Sequence, residues 1–176
     1  IGQGKLLNQS WVDKLRLEDI AIPRADITSV QFDIALDDLI KVFRESGLTR
    51  LPVFKGTLDS PIGMIHLKDL ALKHGFEKAT TKLNLSKMVR PVLFAPPSMP
   101  VLVLLQKMQS ERIHMALVID EYGGVDGLVT LEDLIETMIG EIEDEHDLEE
   151  DAFWISEKQN IILAKAKAPL ADFQEF

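Results

Sequence analysis

The fold is decided by Gly127–Leu134, which reads GLVTLEDL, because an earlier stretch of the chain repeats it. At a spacing of 64 residues upstream lies Gly63–Leu70, which reads GMIHLKDL. The glycine, the aspartate and two leucines are identical, and Thr130 stands opposite His66. Repetition at a fixed spacing indicates two copies of one structural unit.

Each copy predicts the same order of elements. A helix with apolar residues at helical spacing comes first, around Leu36–Phe43 in one copy and over roughly Val101–Ser110 in the other. An aliphatic strand, a turn and a second strand that starts at Gly63 or Gly127 follow. A final helix carries the shared aspartate in its first turn. A sheet this small leaves one face open. We therefore predict an α+β fold, in which two helix–strand–strand–helix units with small sheets pack as a pseudo-two-fold pair.

The flanking segments differ from the repeats. Apolar spacing predicts an amphipathic helix over Gln3–Asp19, and the chain begins at Ile1, so we expect it to be a piece of a longer protein. The predicted organisation is a linker helix at 1–19, a first unit at 20–76, a polar connector at 77–88, a second unit at 89–140, an acidic linker at 141–151 and the start of a truncated domain at 152–176.

Composition excludes several classes of function. Of the 176 residues 46 % are hydrophobic, yet the longest apolar runs are far too short to cross a bilayer. There is no cysteine, which excludes disulfides and thiolate chemistry and fits a reducing compartment. The net charge is −10, but the acidic excess is confined to Glu132–Asp151, which has no lysine or arginine. A nucleic-acid surface needs a basic surplus, so nucleic acid is not expected as a partner.

Several motifs resemble a known family. The paired units look like a tandem of CBS domains, or Bateman module. Three stretches are more specific, namely Ile22–Asp26 (IPRAD), His114–Val125 (HMALVIDEYGGV) and Gly140–Glu145 (GEIEDE), and they resemble the CorC/HlyC family of magnesium and cobalt efflux, some members of which are called hemolysins. The tail, with Pro169–Phe173, is similar to the opening of that family's transporter-associated domain.

The strongest candidate site lies at the end of the second repeat. A strand that ends at a helix amino terminus presents free N–H groups and the positive end of the helix dipole, which suits a phosphate. Thr130 offers a hydroxyl there, and Asp133 can accept hydrogen bonds from ribose. A capping box without any ligand explains the same two residues. The resemblance favours the ligand, because CBS pairs use this threonine and aspartate for adenine nucleotides.

Further residues join this candidate set. Arg50 precedes a strand and can reach a phosphate, as the resemblance to CNNM-type magnesium transporters implies, or it pairs with a carboxylate on the surface. His114 is taken as its counterpart in the second copy. Met115, which equally suits the core, and its neighbour are predicted to line an adenine slot. The full set predicted to bind nucleotide is Thr130, Asp133, Glu132, Arg50, His114, Met115, Ala116, Arg90 and Val92.

A second, altered site is possible around His66 and Asp69, or His66 is simply a surface residue. No catalytic motif and no metal-ligand spacing among the four histidines is present, so neither an enzyme nor a metal site is expected. Glu141–Asp151 is interpreted as a solvated, self-repelling linker, with Mg²⁺ attraction as the alternative.

Together these features predict a regulatory module that binds AMP or ATP, with or without magnesium, and has no catalytic cofactor. The alternatives are a divalent-cation sensor that uses the acidic segment and a purely structural dimerisation module. Apolar residues on the last helix of each unit predict a homodimer: Leu70, Leu72, Leu134, Ile135, Met138 and Ile139. The resemblance implies a membrane transport component as partner, and a cytoplasmic location or one at the cytoplasmic face of the inner membrane.

Overall fold

Both repeats fold into a helix, two antiparallel strands and a second helix in the computed structural model, which describes residues 13–75 and 83–140. The predicted α+β fold is therefore confirmed. The elements are α1 (Leu17–Ile20), β1 (Ile22–Pro23), β2 (Val30–Gln31), α2 (Leu36–Ser46), β3 (Arg50–Lys55), β4 (Thr57–His66), α3 (Leu67–His74), β5 (Leu93–Ala95), α4 (Val101–Glu111), β6 (Met115–Ile119), β7 (Val125–Thr130) and α5 (residues 131–140), with 3₁₀ turns at Arg24–Asp26 and Leu85–Lys87.

Three element boundaries differ from the prediction. Strand β4 begins at Thr57 and not at Gly63, because Gly56, with a φ of 80°, makes a tight turn directly after β3. Strand β7 begins at Val125 and not at Gly127. The predicted helix over 3–19 is wrong between Asp13 and Arg16, where the chain turns and Arg16 bridges to Pro100 instead. Its first ten residues, 3–12, lie outside the described part of the chain, as do the acidic linker and the tail.

The register of the two hairpins corrects one assumed equivalence. Arg50 pairs with His66 in the first hairpin, whereas Met115 pairs with Thr130 in the second. Helix α3 begins with a hydrogen bond from Leu67 N to the carbonyl of Thr49, and α5 with one from Leu131 N to the carbonyl of His114. The structural counterpart of Arg50 is therefore Met115, and His114 corresponds to Thr49. The first strand is offset by one residue more than the second.

The two sheets exchange edge segments. Strand β1, which precedes the first repeat, pairs with β7 of the second repeat, in a four-stranded sheet of order β1-β7-β6-β5. Arg90, which precedes the second repeat, forms an isolated bridge with Met64 at the edge of the three-stranded sheet β2-β3-β4. Each repeat thus receives a segment that leads into the other, so neither sheet is completed by its own repeat alone.

The apolar core divides in the same reciprocal way. One cluster fills the second repeat and includes Leu17 from the segment before the first. Another fills the first repeat and includes Leu85 and Met88. Both residues lie in the predicted connector 77–88, so this connector contributes apolar side chains to the core of the first repeat. A third cluster lies where the sheets meet, and its buried members are Met64, Val92, Met115, Leu117, Val125 and Leu128.

The predicted exposed helical faces are only partly exposed. Leu70 and Leu134 are buried, because they pack into the cores of their own repeats. Leu72, Ile135 and Ile139 are exposed, at 61 %, 41 % and 51 % of their area. Among the described residues no helix has both the length and the apolar character that crossing a membrane requires.

The exchange explains why glycine recurs in the repeat. A Cβ on Gly63 would lie 2.5 Å from the carbonyl oxygen of Arg90, and one on Gly127 would lie 2.9 Å from that of Ile22.

We expect Gly63→Ala to lower the free energy of unfolding by about 1–3 kcal/mol, the cost of overpacking, in denaturant titrations. Gly140→Ala is the control, since its Cβ meets nothing within 4 Å, and helix propensity favours alanine there. Equal stability of the Gly63 variant and the wild type would contradict the close approach.

Candidate functional site

A cleft of about 350 Å³ lies between the two repeats at the amino terminus of α5. Its walls come from β3 of the first repeat, from β6, β7 and α5 of the second, and from the segment that carries β1. The lining residues are Ile22, Asp26, Ile27, Thr28, Ser46, Leu48, Arg50, Pro52, Met115, Leu128, Thr130 and Asp133. Four of the residues predicted from sequence are among them: Arg50, Met115, Thr130 and Asp133.

Thr130 and Asp133 form the helix-terminal end of the cleft. The Asp133 amide donates a hydrogen bond of 3.2 Å to Oγ1 of Thr130, so the threonine caps α5 as predicted. The first amides of a helix have no partner within the helix, and the aligned peptide dipoles favour negative charge there. This end of the cleft therefore suits an anion, and the adjacent carboxylate suits a hydroxyl donor.

Arg50 brings the only positive charge among the described residues that line the cleft. Its Nη1 donates to Oε1 of Glu132 at 2.8 Å, and its Nη2 lies 3.4 Å from Nδ1 of His114. The Arg50 side chain is 19 % exposed and that of Glu132 is 56 % exposed. The pairing of Arg50 with a surface carboxylate is thus present. Because the Glu132 carboxylate is more than half exposed, it can return to solvent when a phosphate takes its place on the guanidinium.

The remaining wall, Ile22–Thr28, was not predicted from sequence as part of the site. Side-chain contacts of Arg24 hold this wall in place. The Arg24 guanidinium pairs with the carboxylate of Asp59 and donates to the Val125 carbonyl at 2.8 Å. Asp59 Oδ1 also accepts from the Val125 amide at 2.9 Å. The hydrogen bonds from Arg24 and Val125 hold the pKa of Asp59 below its usual value. The sequence signal for this wall is the IPRAD stretch, Ile22–Asp26, which contains Arg24.

The structure separates other predicted residues from this cleft. Ala116 is fully buried in the core of the second repeat. Arg90 lies at the other half of the pair, where its Nε and Nη2 donate to the two carboxylate oxygens of Asp69 at 2.6 and 2.7 Å. Val92 is buried in the cluster between the sheets. The predicted set is therefore divided, and Arg90 is not brought together with Thr130.

His66 occupies the position equivalent to Thr130 in what we call the second half-site, the part of the pair of repeats around His66, Asp69 and Arg90. Its Nδ1 accepts a hydrogen bond of 2.9 Å from the Lys68 amide and so caps α3. Burial lowers the pKa of His66, and the positive charges of Arg50 and Arg90 lower it further. The imidazole is therefore neutral at physiological pH and adds no positive charge to the half-site.

Comparison with known proteins supports the same architecture. The family model described as the CBS domain matches residues 17–73 and 83–140. A hemolysin C homolog of Rickettsia conorii is 42 % identical over 175 residues, which are 97 % of this chain and 56 % of the relative. One from Rickettsia massiliae is 46 % identical over 162 residues, which are 89 % of this chain and 52 % of the relative. The chain thus spans about half the length of these relatives.

Solved structures agree with the sequence relatives. The CBS domain of a bacterial CNNM/CorC family Mg²⁺ transporter in complex with ATP superposes with a TM-score of 0.69 at 30 % identity, over 77 % of this chain and 94 % of the other. A CBS-domain pair from Klebsiella pneumoniae with bound AMP gives a TM-score of 0.62 at 28 % identity, over 72 % and 99 % of the two chains. The repeat, the exchanged sheets and these matches lead to one conclusion: this chain is a tandem pair of CBS domains and belongs to the CBS domain family, in its CorC/hemolysin-like branch.

Proposed function

We propose that the chain is a regulatory module that binds an adenine nucleotide, AMP or ATP, in the Thr130 cleft and catalyses no reaction. The observation that carries this proposal is the joint placement of Arg50, Thr130 and Asp133 in one cleft between the repeats. The related CBS structures that contain ATP or AMP support it.

Each part of a nucleotide has a matching part of the cleft. The phosphates lie at the amino terminus of α5, between the Thr130 hydroxyl and the Arg50 guanidinium. The ribose hydroxyls donate to Asp133. The base packs among the apolar side chains of Ile22, Ile27 and Met115, and the Thr28 hydroxyl is a polar group on that wall. A volume of about 350 Å³ lies within the range of small-molecule sites.

Regulation follows from where the cleft lies. A ligand that contacts both repeats binds more tightly to one relative arrangement of them, and so shifts the equilibrium toward it. The partner that receives this change is a membrane transport component of a magnesium or cobalt efflux system, which places the module at the cytoplasmic face of the inner membrane. The names of the CNNM/CorC and hemolysin C relatives support this partner.

A divalent-cation sensor is the competing function. Its acidic segment, Glu141–Asp151, lies outside the described residues, and within residues 13–75 and 83–140 no group of acidic or histidine side chains is arranged to hold a metal ion. Calorimetry with Mg²⁺ on a chain that ends at Gly140 separates the two functions. A cation sensor loses its Mg²⁺ binding when the acidic segment is removed, whereas a nucleotide sensor keeps its nucleotide binding.

Asp133→Ala is expected to weaken AMP binding by about 1.5–3 kcal/mol, because ribose loses hydrogen bonds to a charged group. Isothermal titration calorimetry measures this directly. Asp69→Ala is the matched control from the first repeat and is expected to leave the affinity unchanged, since Arg90 already holds that carboxylate. An unchanged affinity in the Asp133 variant would remove the ribose role.

Mg²⁺ is expected to strengthen ATP binding clearly and AMP binding little. The ionisable residues that line the cleft are Asp26, Asp133 and Arg50, so a bare triphosphate meets more negative than positive charge, and the cation offsets this. Arg50→Ala is expected to weaken ATP more than AMP, with Arg44→Ala on the exposed face of α2 as the control. Titrations of both nucleotides with and without Mg²⁺ are the test, and equal effects of the ion on the two would contradict it.

The module is also proposed to form a two-fold homodimer through the exposed apolar side chains of its last helices, since such side chains offer area to an interface. Leu72 and Ile139 are exposed at 61 % and 51 % of their area. Light scattering is expected to give twice the mass of the chain at tens of micromolar, and Leu72→Glu with Ile139→Glu is expected to give a monomer. A monomeric wild-type protein at that concentration would refute the dimer.

A further inference from the structure

The two halves of the pair offer equivalent positions with different residues. Met64 and Leu128 are equivalent in the repeat, and they pair with Arg90 and Ile22 respectively. Arg90 therefore stands where Ile22 stands in the other half. Ile22 lines the Thr130 cleft. The second half-site therefore carries the guanidinium of Arg90 at the position where the Thr130 cleft has the apolar side chain of Ile22.

That guanidinium is directed at one carboxylate. Asp69, the counterpart of Asp133, receives hydrogen bonds from Arg90 Nε at 2.6 Å and Nη2 at 2.7 Å, one to each oxygen. This is the bidentate geometry in which arginine binds a carboxylate most strongly. The backbone of Arg90 is fixed as well, through hydrogen bonds in both directions with Met64, of 2.8 and 2.9 Å. The side chain thus starts from an anchored position beside its partner.

The wall of the second half-site is also shorter. Val30, which pairs with Val53 of β3, lies eight positions after Ile22. Ala95, which pairs with the equivalent residue Val118 of β6, lies only five positions after Arg90. The 3₁₀ turn Arg24–Asp26 lies in the longer connection and contributes Asp26 to the Thr130 cleft. The second half-site has no room in its connection for such a turn.

We infer that Arg90 is a built-in occupant of the second half-site: it holds Asp69 in the way a ribose is held by Asp133, and so restricts the module to one adenine nucleotide per chain. This inference rests on the proposed function and adds its stoichiometry and the residue that sets it.

Competition at Asp69 favours the arginine over a nucleotide. A ribose offers neutral hydroxyl donors, whereas the guanidinium offers two charge-assisted N–H donors, and such bonds are about twice as strong as neutral ones. The arginine is also tethered, so its binding is intramolecular and has a high effective concentration. A nucleotide must displace it without an equivalent of the Thr130 hydroxyl, because His66 stands there.

The test introduces residues of the Thr130 cleft at the equivalent positions of the second half-site. Calorimetric titration with AMP is carried out on the wild type, on His66→Thr and on His66→Thr with Arg90→Ile, which copies Thr130 and Ile22. We expect one AMP per chain for the wild type and for His66→Thr, and two for the double variant. Arg44→Ala, which removes an exposed arginine elsewhere, is the control for charge and is expected to bind one.

Two AMP per chain in the wild type or in His66→Thr would overturn the inference, and so would one AMP in the folded double variant when the wild type also binds one. Adding Asp133→Ala to the double variant checks the location, because the AMP that remains then binds at Asp69. The proposed function can fail separately: a wild type that binds no AMP, with a double variant that binds one, would refute the Thr130 cleft and retain the role of Arg90. Circular dichroism confirms that each variant is folded.

Discussion

The close backbone contact at the two repeat glycines is the constraint on which the rest of the structure depends. At Gly63 the backbone of Arg90 lies against β4, and at Gly127 the backbone of Ile22 lies against β7. A side chain at either glycine would separate these segments. Because each segment leads into one repeat and completes the sheet of the other, the contact ties the two repeats into one folding unit. It also places the connecting segment Ile22–Thr28 along the cleft, where no single repeat would have placed it.

Near-symmetric halves need not have equal chemistry, and here three substitutions at equivalent positions separate them. Thr130 is replaced by His66, Ile22 by Arg90 and Arg50 by Met115. The half around Thr130 keeps a hydroxyl at the amino terminus of α5, and the Asp133 carboxylate lines its cleft. The half around Asp69 caps α3 with the neutral imidazole of His66, and its carboxylate binds Arg90. The shared backbone thus supports two halves of different chemistry.

The sequence was sufficient for the features that depend on local pattern. The repeat, the helices and the threonine cap follow from apolar spacing and capping chemistry, and the structure has them. Features set by register were out of reach. The first hairpin, β3 and β4, has one residue more than the second, which makes Met115 and not His114 the counterpart of Arg50. The exchange of edge segments placed Arg90 beside Asp69 and Val92 in the cluster between the sheets, and brought Ile22 and Asp26 into the cleft. Pairings between distant segments determine these positions, and no local pattern reports them.

The central claim is that a nucleotide binds in the Thr130 half of the pair and leaves the Asp69 half unchanged. Two backbone amides report on the two halves: that of Asp133, bonded to Thr130, and that of Lys68, bonded to His66. A ¹H–¹⁵N correlation spectrum recorded during titration of the chain with AMP follows both at once. The account predicts that the Asp133 amide shifts until one equivalent has bound while the Lys68 amide stays in place. Movement of the Lys68 amide with no movement of the Asp133 amide would contradict it.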